Sequence, residues 1–454
     1  MRIHFTAIGG SIMHQLAIAL HHKGYIVTGS DDEIFEPAKS NLKQFGLLPK
    51  QEGWFAEKIH PDKIDVLIVG MHARKDNPEL QRAISLKIPV LSYPEFLYQQ
   101  SQHQTRVVIA GSHGKTTTTA MVIHVLNACR QSFDYAVGAK IEGLPFAVQF
   151  SPKAPVIVIE GDEYLASPLH PQPKIAFYHP QIALLNGIAW DHINVFPTYE
   201  AYLAAFSQFL QDMQPGHFLA YNATDPEVCR LVNLYGQHLQ LKPYGIHKHK
   251  ILPNGKTVLL TPNGEQPVAI FGSHNLINLA GALTICQELG ITNQQFYQAI
   301  SNFTGAGNRL ETLALKSNFA IFKDFAHAPS KVKATTNAVA NQFKQRTTIA
   351  CFELHTFSSL NPEFLPHYRH TLNNAQQAIV YFNAHTFEIK KIPPLSPNAV
   401  AAAFDHPNLQ VITNSADLAK ALQTIKLQDA NLLLMSSGNF GGLNWQEIWP
   451  NALK

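Results

Sequence analysis

The run from Gly111 to Thr119 constrains the fold of this chain more than any other stretch. It reads Gly-Ser-His-Gly-Lys-Thr-Thr-Thr-Thr, and it lies between an apolar, strand-like segment at 107–110 and a helix-like segment at 120–126. A strand, a glycine-rich turn and a helix N-terminus form a cradle for phosphate, because backbone N–H groups and the helix dipole attract anions. In such loops the lysine reaches the β- and γ-phosphates and the next hydroxyl binds Mg²⁺. The sequence therefore predicts a nucleotide site around Lys115 and Thr116.

The predicted loop is a shortened variant of the usual phosphate-binding motif. The pattern GxxxxGK[ST] requires a glycine at the position that Ile109 occupies. An ordinary strand-to-helix turn is the alternative interpretation. It does not explain why two glycines, Lys115 and Thr116 coincide with a strand before them and a helix after them, so the nucleotide site is favoured.

Length and composition narrow the class of protein. The chain has 454 residues, of which 46% are hydrophobic, so we expect about three domains with substantial cores. The net charge of +3 is too small to indicate nucleic-acid binding, and no apolar run reaches the roughly 18 residues of a membrane span.

A strand begins at Ile3 and soon meets a glycine turn, so we expect no signal peptide. The four cysteines form no CxxC pair, and we expect free thiols in a cytoplasmic protein.

Alternating strand and helix patterns predict an α/β protein of three domains. The first, residues 1–103, is predicted to contain a Rossmann-like sheet. Its glycine turn at Gly9 and the acid Asp31 after the second strand suit nucleotide binding and simple packing equally well. The polar stretch 98–104 is predicted to be a linker. Residues 307–454 are predicted to form a second open, Rossmann-like sheet.

The central domain, residues 104–306, is predicted to contain the sheet of a P-loop ATPase. Turn-rich sequence at 250–271 indicates β-hairpins. Glu160 and Glu163 follow the apolar strand 156–159, and carboxylates at a strand end suit Mg²⁺, which prefers oxygen ligands. The alternative is that acids gather near a helix N-terminus without any metal.

Three short motifs have both a functional and a structural interpretation. Asp191-His192 suits metal binding or a structural hydrogen bond. The segment from Ser273 to Asn275 opens a predicted helix, where Ser273 can serve as the cap and Asn275 suits a nucleotide base, and capping alone explains the motif equally well. Arg309 suits a transferring phosphoryl group, but it could equally pair with Glu311.

The order of these motifs resembles that of the Mur ligase family of peptidoglycan synthesis over essentially the whole chain. The matching motifs are a Gly-Gly turn with a downstream Gly-Ser-Asp, then GSHGKTTT, EGDEY, N-x₄-DH, GSHNxxN, GNRLE and DFAHxP. The resemblance implies an enzyme that uses ATP and Mg²⁺ to phosphorylate the lactyl carboxylate of UDP-N-acetylmuramate, and then joins that group to an amine. We expect small-molecule substrates, a monomer or weak homodimer, and neither nucleic acid nor membrane as a partner.

The resemblance also implies a role for each matching residue. The nucleotide is implied to contact the loop and three side chains beyond it: Gly111, Ser112, His113, Gly114, Lys115, Thr116, Thr117, Asn275, Arg309 and Asp324. Asn275 would meet adenine, Arg309 the phosphate and Asp324 the ribose. Thr116, Glu160 and His192 are implied to be Mg²⁺ ligands. Lys115, Glu160, His192 and Arg309 are implied to be catalytic.

The substrates are implied to meet a second set of residues. This set comprises Gly9, Gly10, Ser11, Asp31, His72, Asn77, Asn186, His327 and Ser436. The earlier positions, up to Asn77, would hold the UDP-sugar. His327 and the segment 353–359 would face the peptide.

Within the family, two branches act directly on UDP-N-acetylmuramate. One adds L-alanine, and the other attaches the recycled murein tripeptide L-Ala-γ-D-Glu-meso-diaminopimelate. EGDEY at 160–164, DFAH at 324–327 and the ending at 435–442 are more similar to the tripeptide branch.

The chain also departs from the family pattern. Leu165, Ala189, Lys323 and Ala328 replace residues usual in the family, and this leaves open a catalytically weakened nucleotide-binding protein. A nicotinamide-dependent oxidoreductase is disfavoured because GxGxxG is absent.

Overall fold

The computed structural model describes residues 1–71, 73–138, 141, 143–305, 307, 309–390 and 392–453. The chain divides into two compact units. The first unit comprises Met1–Ile188, Glu200–Gly245 and Leu279–Ile300, and the second comprises Ala189–Tyr199, Ile246–Asn278 and Ser301–Lys454. Each unit contains two β-sheets.

The first sheet of the first unit is parallel and has the strand order β2-β1-β3-β4. Its elements are β1 (Arg2–Thr6), α1 (Ser11–His22), β2 (Ile26–Ser30), α2 (Ala38–Gln44), β3 (Val66–Val69), α3 (Pro78–Ser85), β4 (Val90–Ser92) and α4 (Tyr93–Gln100). Every residue of β3 is buried and apolar, as expected for a parallel strand covered on both faces. This is the Rossmann-like sheet that the sequence predicts.

The predicted linker at 98–104 is wrong in its first half, because α4 extends to Gln100. Ser92 accepts a hydrogen bond from the N–H of Glu95, and the Glu95 carboxylate accepts one from the Ser92 N–H. This capping box starts the helix. Burial of Phe96 and Leu97 then stabilises it, although its last turn is polar.

The second sheet of the first unit has seven strands in the order β11-β10-β9-β5-β8-β6-β7. All neighbours are parallel except β6 and β7. The elements are β5 (Thr105–Ala110), α5 (Lys115–Ala128), β6 (Asp134–Ala136), β7 (Val148–Gln149), β8 (Val156–Gly161), β9 (Ile182–Leu185), α6 (Tyr199–Asp212), β10 (Phe218–Asn222), α7 (Pro226–Tyr235) and β11 (Gln240–Tyr244). Parallel strands end at the same edge, so the residues after β5 and β8 share one end of the sheet.

The second unit contains a small antiparallel sheet, β12-β13-β14, which confirms the predicted hairpins. Its strands are β12 (His249–Ile251), β13 (Thr257–Thr261) and β14 (Gly264–Val268). Helix α8 (Ser273–Glu288) follows and passes from the second unit into the first, where α9 (Asn293–Ile300) comes next.

The larger sheet of the second unit has the order β15-β16-β20-β17-β18-β19, and only the β15–β16 pair is antiparallel. Its elements are β15 (Glu311–Leu315), β16 (Phe319–Asp324), α10 (Pro329–Gln342), β17 (Thr347–Glu353), β18 (Gln377–Tyr381), α11 (Ala384–Lys390), α12 (Pro397–Phe404), β19 (Leu409–Ile412), α13 (Ser415–Gln423), β20 (Ala430–Met435) and α14 (Trp445–Ile448). Short 3₁₀ helices span Ala56–Lys58, Lys174–Phe177, Leu365–Tyr368 and Phe440–Gly442.

The predicted fold class is confirmed: the protein is α/β, with several sheets dominated by parallel pairs. The three domain boundaries stay predictions. The four cysteines are free, as expected. In the part of the chain that the structure describes, no helix combines the length and apolar character needed to cross a bilayer.

Candidate active site

The glycines of the phosphate loop adopt backbone conformations that other residues rarely reach. Gly111 has φ of 133° and Gly114 has φ of 76°. A Cβ atom at Gly111 would lie 3.0 Å from the backbone nitrogen of Gly187. Since Gly114 directly precedes α5, the loop presents backbone N–H groups at a helix N-terminus, as the sequence predicts.

Lys115 is held inside this loop by two oxygen atoms. Its Nζ donates to the Gly111 carbonyl at 2.6 Å and to Glu163 Oε2 at 2.5 Å. Burial lowers the pKa of Lys115, but the carboxylates of Glu163, Asp162 and Glu160 outweigh burial and raise that pKa above its ordinary value. The side chain is therefore an ammonium ion at neutral pH, which is the form that binds phosphate.

Thr116 and Glu160 meet at the same end of the sheet. Thr116 Oγ1 donates to Glu160 Oε1 at 2.6 Å, and the other carboxylate oxygen accepts the Gly138 N–H at 2.8 Å. A hydroxyl and a carboxylate are ligands that suit Mg²⁺. The described residues contain no group of three or more His, Cys, Asp or Glu side chains able to hold a metal ion. Mg²⁺ usually keeps several waters and binds substrate phosphates beside one or two protein carboxylates, so two protein oxygens are compatible with a Mg²⁺ ion bound to ATP.

The rest of the loop is braced by the segment after β9. The Ser112 N–H and hydroxyl both donate to the Gly187 carbonyl, at 2.9 and 3.0 Å. Asn186 is buried: its Nδ2 donates to the His113 carbonyl at 3.2 Å, and its Oδ1 accepts the Tyr244 hydroxyl at 2.8 Å. Asn186 thus supports the loop, and its contact with substrate stays a prediction. Thr117 is buried in the first turn of α5.

In the first sheet the predicted UDP-sugar residues partly come together. Asp31 Oδ2 accepts the Gly9 N–H at 2.7 Å. Burial raises the pKa of Asp31 to about 6, although the Gly9 N–H opposes this shift. Gly10 directly precedes α1 and Ser11 begins it, so this turn also forms a helix N-terminus.

Of the other two predicted contacts in this sheet, only one lies within the described residues. Asn77 caps α3, where its Oδ1 accepts the N–H groups of Glu79 at 3.0 Å and Leu80 at 3.2 Å. His72 lies outside the described residues. The sugar-binding role of both stays a prediction.

In the second unit Asp324 anchors the chain beside Arg309. Its carboxylate accepts the Leu310 N–H at 2.5 Å and the Ala326 N–H at 2.7 Å, and the Arg309 guanidinium lies over the Phe325 ring at 4.7 Å. The structure therefore brings Arg309 and Asp324 close together. The motif residue Asn308 lies outside the described residues.

Asn275 is bound to its own helix region. Its Nδ2 donates to the Phe271 carbonyl at 3.0 Å, and its Oδ1 accepts Asn278 Nδ2 at 3.4 Å. The contact with adenine stays a prediction.

A buried charge cluster in the second unit involves a lysine that the sequence analysis missed. Lys331 Nζ lies 3.0 Å and His327 Nε2 3.6 Å from Asp191 Oδ2. Burial raises the pKa of Asp191, but Lys331 and His327 outweigh burial and hold it well below its usual range. Burial and the Lys331 ammonium lower the pKa of His327.

His192 follows this cluster directly in the chain. Its N–H donates to Asp191 Oδ1 at 2.8 Å, and its φ is 57°. His192 belongs to the second unit, whereas Thr116 and Glu160 belong to the first. Its role as a metal ligand stays a prediction.

Ser436 forms part of a hydrogen-bonded loop after β20. Its hydroxyl donates to Glu353 Oε2 and accepts the Gly438 N–H at 2.7 Å. The same Glu353 oxygen also accepts the Phe440 N–H at 2.8 Å. Ser436 thus fixes the loop to the end of β17, next to the segment 353–359.

Sequence comparison identifies relatives along most of the chain. Residues 2–105 match the model of the Mur ligase family catalytic domain, and residues 109–286 match that of the Mur ligase middle domain. A UDP-N-acetylmuramate–L-alanine ligase from Sulfurihydrogenibium sp. is 31% identical over 80% of this chain and 78% of its own length. The enzyme of that name from Carboxydothermus hydrogenoformans is 29% identical over 88% and 86%.

Solved structures share the fold. A murein peptide ligase from Psychrobacter arcticus superposes with a TM-score of 0.67 and 20% identity, covering 100% of this chain and 98% of its own. A UDP-N-acetylmuramate–alanine ligase from Thermotoga maritima gives a TM-score of 0.70 and 20% identity, with coverages of 97% and 96%.

Proposed function

Since the chain belongs to the Mur ligase family of ATP-dependent amide ligases, we propose that it joins the tripeptide L-Ala-γ-D-Glu-meso-diaminopimelate to UDP-N-acetylmuramate. The ATP-dependent part of this proposal is supported by one observation, the phosphate loop at the end of the sheet. There Lys115 contacts Glu163, and Thr116 contacts Glu160. The tripeptide as acceptor is supported by the motifs at 160–164, 324–327 and 435–442. The three-domain division at 103/104 and 306/307, cytoplasmic location and a monomer or weak homodimer belong to the same proposal.

The proposed reaction has two steps. In the first, an oxygen of the lactyl carboxylate attacks the γ-phosphorus of ATP, so that an acyl phosphate forms and ADP leaves. In the second, the amine of the peptide attacks the acyl carbon, the C–O bond to phosphate breaks, and phosphate leaves as the amide forms and the amine loses a proton. Activation is needed because a free carboxylate is a poor acyl donor.

The residues of the phosphate loop have the charge that this chemistry needs. A carboxylate and a triphosphate repel each other, and the Lys115 ammonium reduces that repulsion at the β- and γ-phosphates. Thr116 and Glu160 would hold Mg²⁺, which supplies further positive charge to the phosphates when bound. We propose that Arg309 meets the transferring phosphoryl group, Asp324 the ribose, Asn275 the adenine, and His192 a second Mg²⁺.

The substrate residues are proposed in two sets. Gly9, Gly10 and Ser11 form a helix N-terminus that suits the UDP diphosphate, and Asp31, His72 and Asn77 would meet the rest of the UDP-sugar. His327 and Ser436 would face the peptide. Holding three reactants in line can supply on the order of 7–11 kcal/mol of the barrier at best.

A second candidate is the L-alanine ligase of the same family. It is favoured by the relatives from Sulfurihydrogenibium sp. and Carboxydothermus hydrogenoformans, whose names state that activity. The two candidates differ only in the acceptor amine, so both predict the same phosphate loop.

The experiment that separates them measures phosphate release from ATP and Mg²⁺ with UDP-N-acetylmuramate, and compares L-alanine with the tripeptide. Turnover with the tripeptide alone supports the proposal. Turnover with L-alanine alone replaces it with the second candidate. ATP binding without turnover in either case would identify a catalytically weakened relative, as the residues at 165, 189, 323 and 328 allow.

A further inference from the structure

The hydroxyl group of Tyr202 contacts Glu163, the residue that binds Lys115 of the phosphate loop. It lies in the first turn of α6, it is fully buried, and its ring packs edge-on against Phe206 with centroids 5.3 Å apart. A buried aromatic on an amphipathic helix is ordinarily a core residue. Here, however, its hydroxyl donates to Glu163 Oε1 at 3.0 Å, and packing alone would not require that hydroxyl.

Glu163 therefore binds a different donor with each of its oxygens. Oε1 accepts the Tyr202 hydroxyl, and Oε2 accepts Lys115 Nζ at 2.5 Å. Glu163 is fully buried, so its negative charge is satisfied chiefly by protein donors rather than by bulk water. A hydrogen bond to Oε1 fixes the plane of the carboxylate and draws negative charge away from Oε2.

We propose that Tyr202 is a positioning residue that acts through Glu163 to keep Lys115 available for the phosphates of ATP. Lys115 is bound to Glu163 and to the Gly111 carbonyl. To bind phosphate, its ammonium must exchange part of the Glu163 contact for phosphate oxygens. The hydrogen bond from the Tyr202 hydroxyl weakens the attraction between the Glu163 carboxylate and the Lys115 ammonium. It thereby lowers the free energy needed for this exchange.

This inference rests on the proposed ATP-dependent function, and the test separates the two. Calorimetry with ATP and Mg²⁺ is performed on the full-length wild type, Tyr202→Phe, Glu163→Gln and the double variant. We expect Tyr202→Phe to raise the Kd for ATP about fivefold in the wild-type background, which is less than the loss of a direct hydrogen bond to a charged group would cause, because the effect reaches ATP only through Glu163 and Lys115. In the Glu163→Gln background the same change should alter Kd by less than about twofold, because Tyr202 acts through that carboxylate.

Two further variants separate positioning from packing. Tyr202→Leu also lacks the hydroxyl and must weaken ATP binding in the same direction. Phe206→Leu disturbs the same aromatic pair without removing a hydrogen bond, and should leave the Kd unchanged. Thermal unfolding of each variant establishes that it is folded.

The outcomes are distinguishable. A wild type that does not bind ATP overturns the proposed function, and this inference with it. A wild type that binds ATP while Tyr202→Phe binds equally well overturns this inference alone. The inference is also overturned if Tyr202→Phe weakens ATP binding equally with and without Glu163→Gln, because the effect would then not pass through the carboxylate. It is likewise overturned if Phe206→Leu weakens ATP binding as much as Tyr202→Phe does, because the effect would then arise from packing.

Discussion

Lys115 Nζ and Glu163 Oε2 lie 2.5 Å apart, and Glu163 has no exposed surface. The pair joins the start of α5 to the residues after β8. A buried carboxylate that loses its cation is strongly destabilising, whereas a neutral pair of similar size often is not. The contact therefore links the stability of the loop to its proposed chemistry, and the two can be separated by mutation.

Lys115→Met should lower turnover by at least about 100-fold, because a charge at the proposed site of phosphate transfer is lost. It should also reduce the free energy of unfolding by about 3 kcal/mol, since Glu163 remains buried without its partner. The double variant Lys115→Met/Glu163→Gln should recover most of that stability but none of the turnover. Phosphate-release assays and urea unfolding test both parts. Retained ligase activity in Lys115→Met would contradict the proposed function.

Gly111→Ala should damage the loop far more than an alanine at another left-handed glycine. The new Cβ would lie 3.0 Å from the Gly187 nitrogen, at a φ of 133°. Gly24 has φ of 88° with open space around the added atom. We expect Gly24→Ala to cost about 1 kcal/mol and Gly111→Ala at least about 3 kcal/mol, with loss of ATP binding. Equal costs by urea unfolding would contradict the predicted contact.

The sequence was sufficient for the elements that have a local signal. The start of α5 at Lys115 follows from the glycines and the apolar segments on either side of the loop. The hairpins β12–β14 follow from paired Asn-Gly turns at 254 and 263. In both cases neighbouring residues determine the backbone, so no knowledge of distant contacts is required.

The partners of the charged groups were not predictable in this way. Lys331 and Asp191 are 140 positions apart, and Glu163 and Tyr202 are 39 apart. Sheet order brings such residues together, and one sequence contains no local pattern that reports it. Tyr202 in particular lies on a helix face where an aromatic residue is ordinarily part of the core, and its hydrogen bond to Glu163 is the observation that supports the proposed second role.

Asp31→Asn should change how stability depends on pH. Burial raises the pKa of Asp31 to about 6 in the folded protein, whereas an unfolded chain has a value of about 3.9. Between these two pKa values Asp31 is protonated in the folded state but ionised in the unfolded state. The contribution of Asp31 to stability therefore falls as the pH rises from about 4 through 6. We expect a loss of about 1 kcal/mol by pH 8, after allowing for screening by nearby water.

Urea unfolding at pH 5 and pH 8 measures this effect. The wild type should lose about 0.5 kcal/mol more than Asp31→Asn over that interval, because about half of the total loss occurs below pH 5. Asp62→Asn changes an exposed aspartate and should follow the wild type. Parallel pH profiles for wild type and Asp31→Asn would show that Asp31 is not a buried acid.

Lys331→Met should destabilise the second unit, because it removes the ammonium group that lies 3.0 Å from Oδ2 of the buried Asp191 carboxylate. The folded pKa of Asp191 is depressed, so its stabilising contribution is present above about pH 4 and is lost as the pH falls. At pH 7 we expect a cost of about 2–3 kcal/mol by urea unfolding. Lys333→Met removes an exposed lysine from the same helix, α10, and should cost less than about 0.5 kcal/mol. Adding Asp191→Asn to Lys331→Met should restore part of the stability, and a further loss in that double variant would contradict the assigned ion pair.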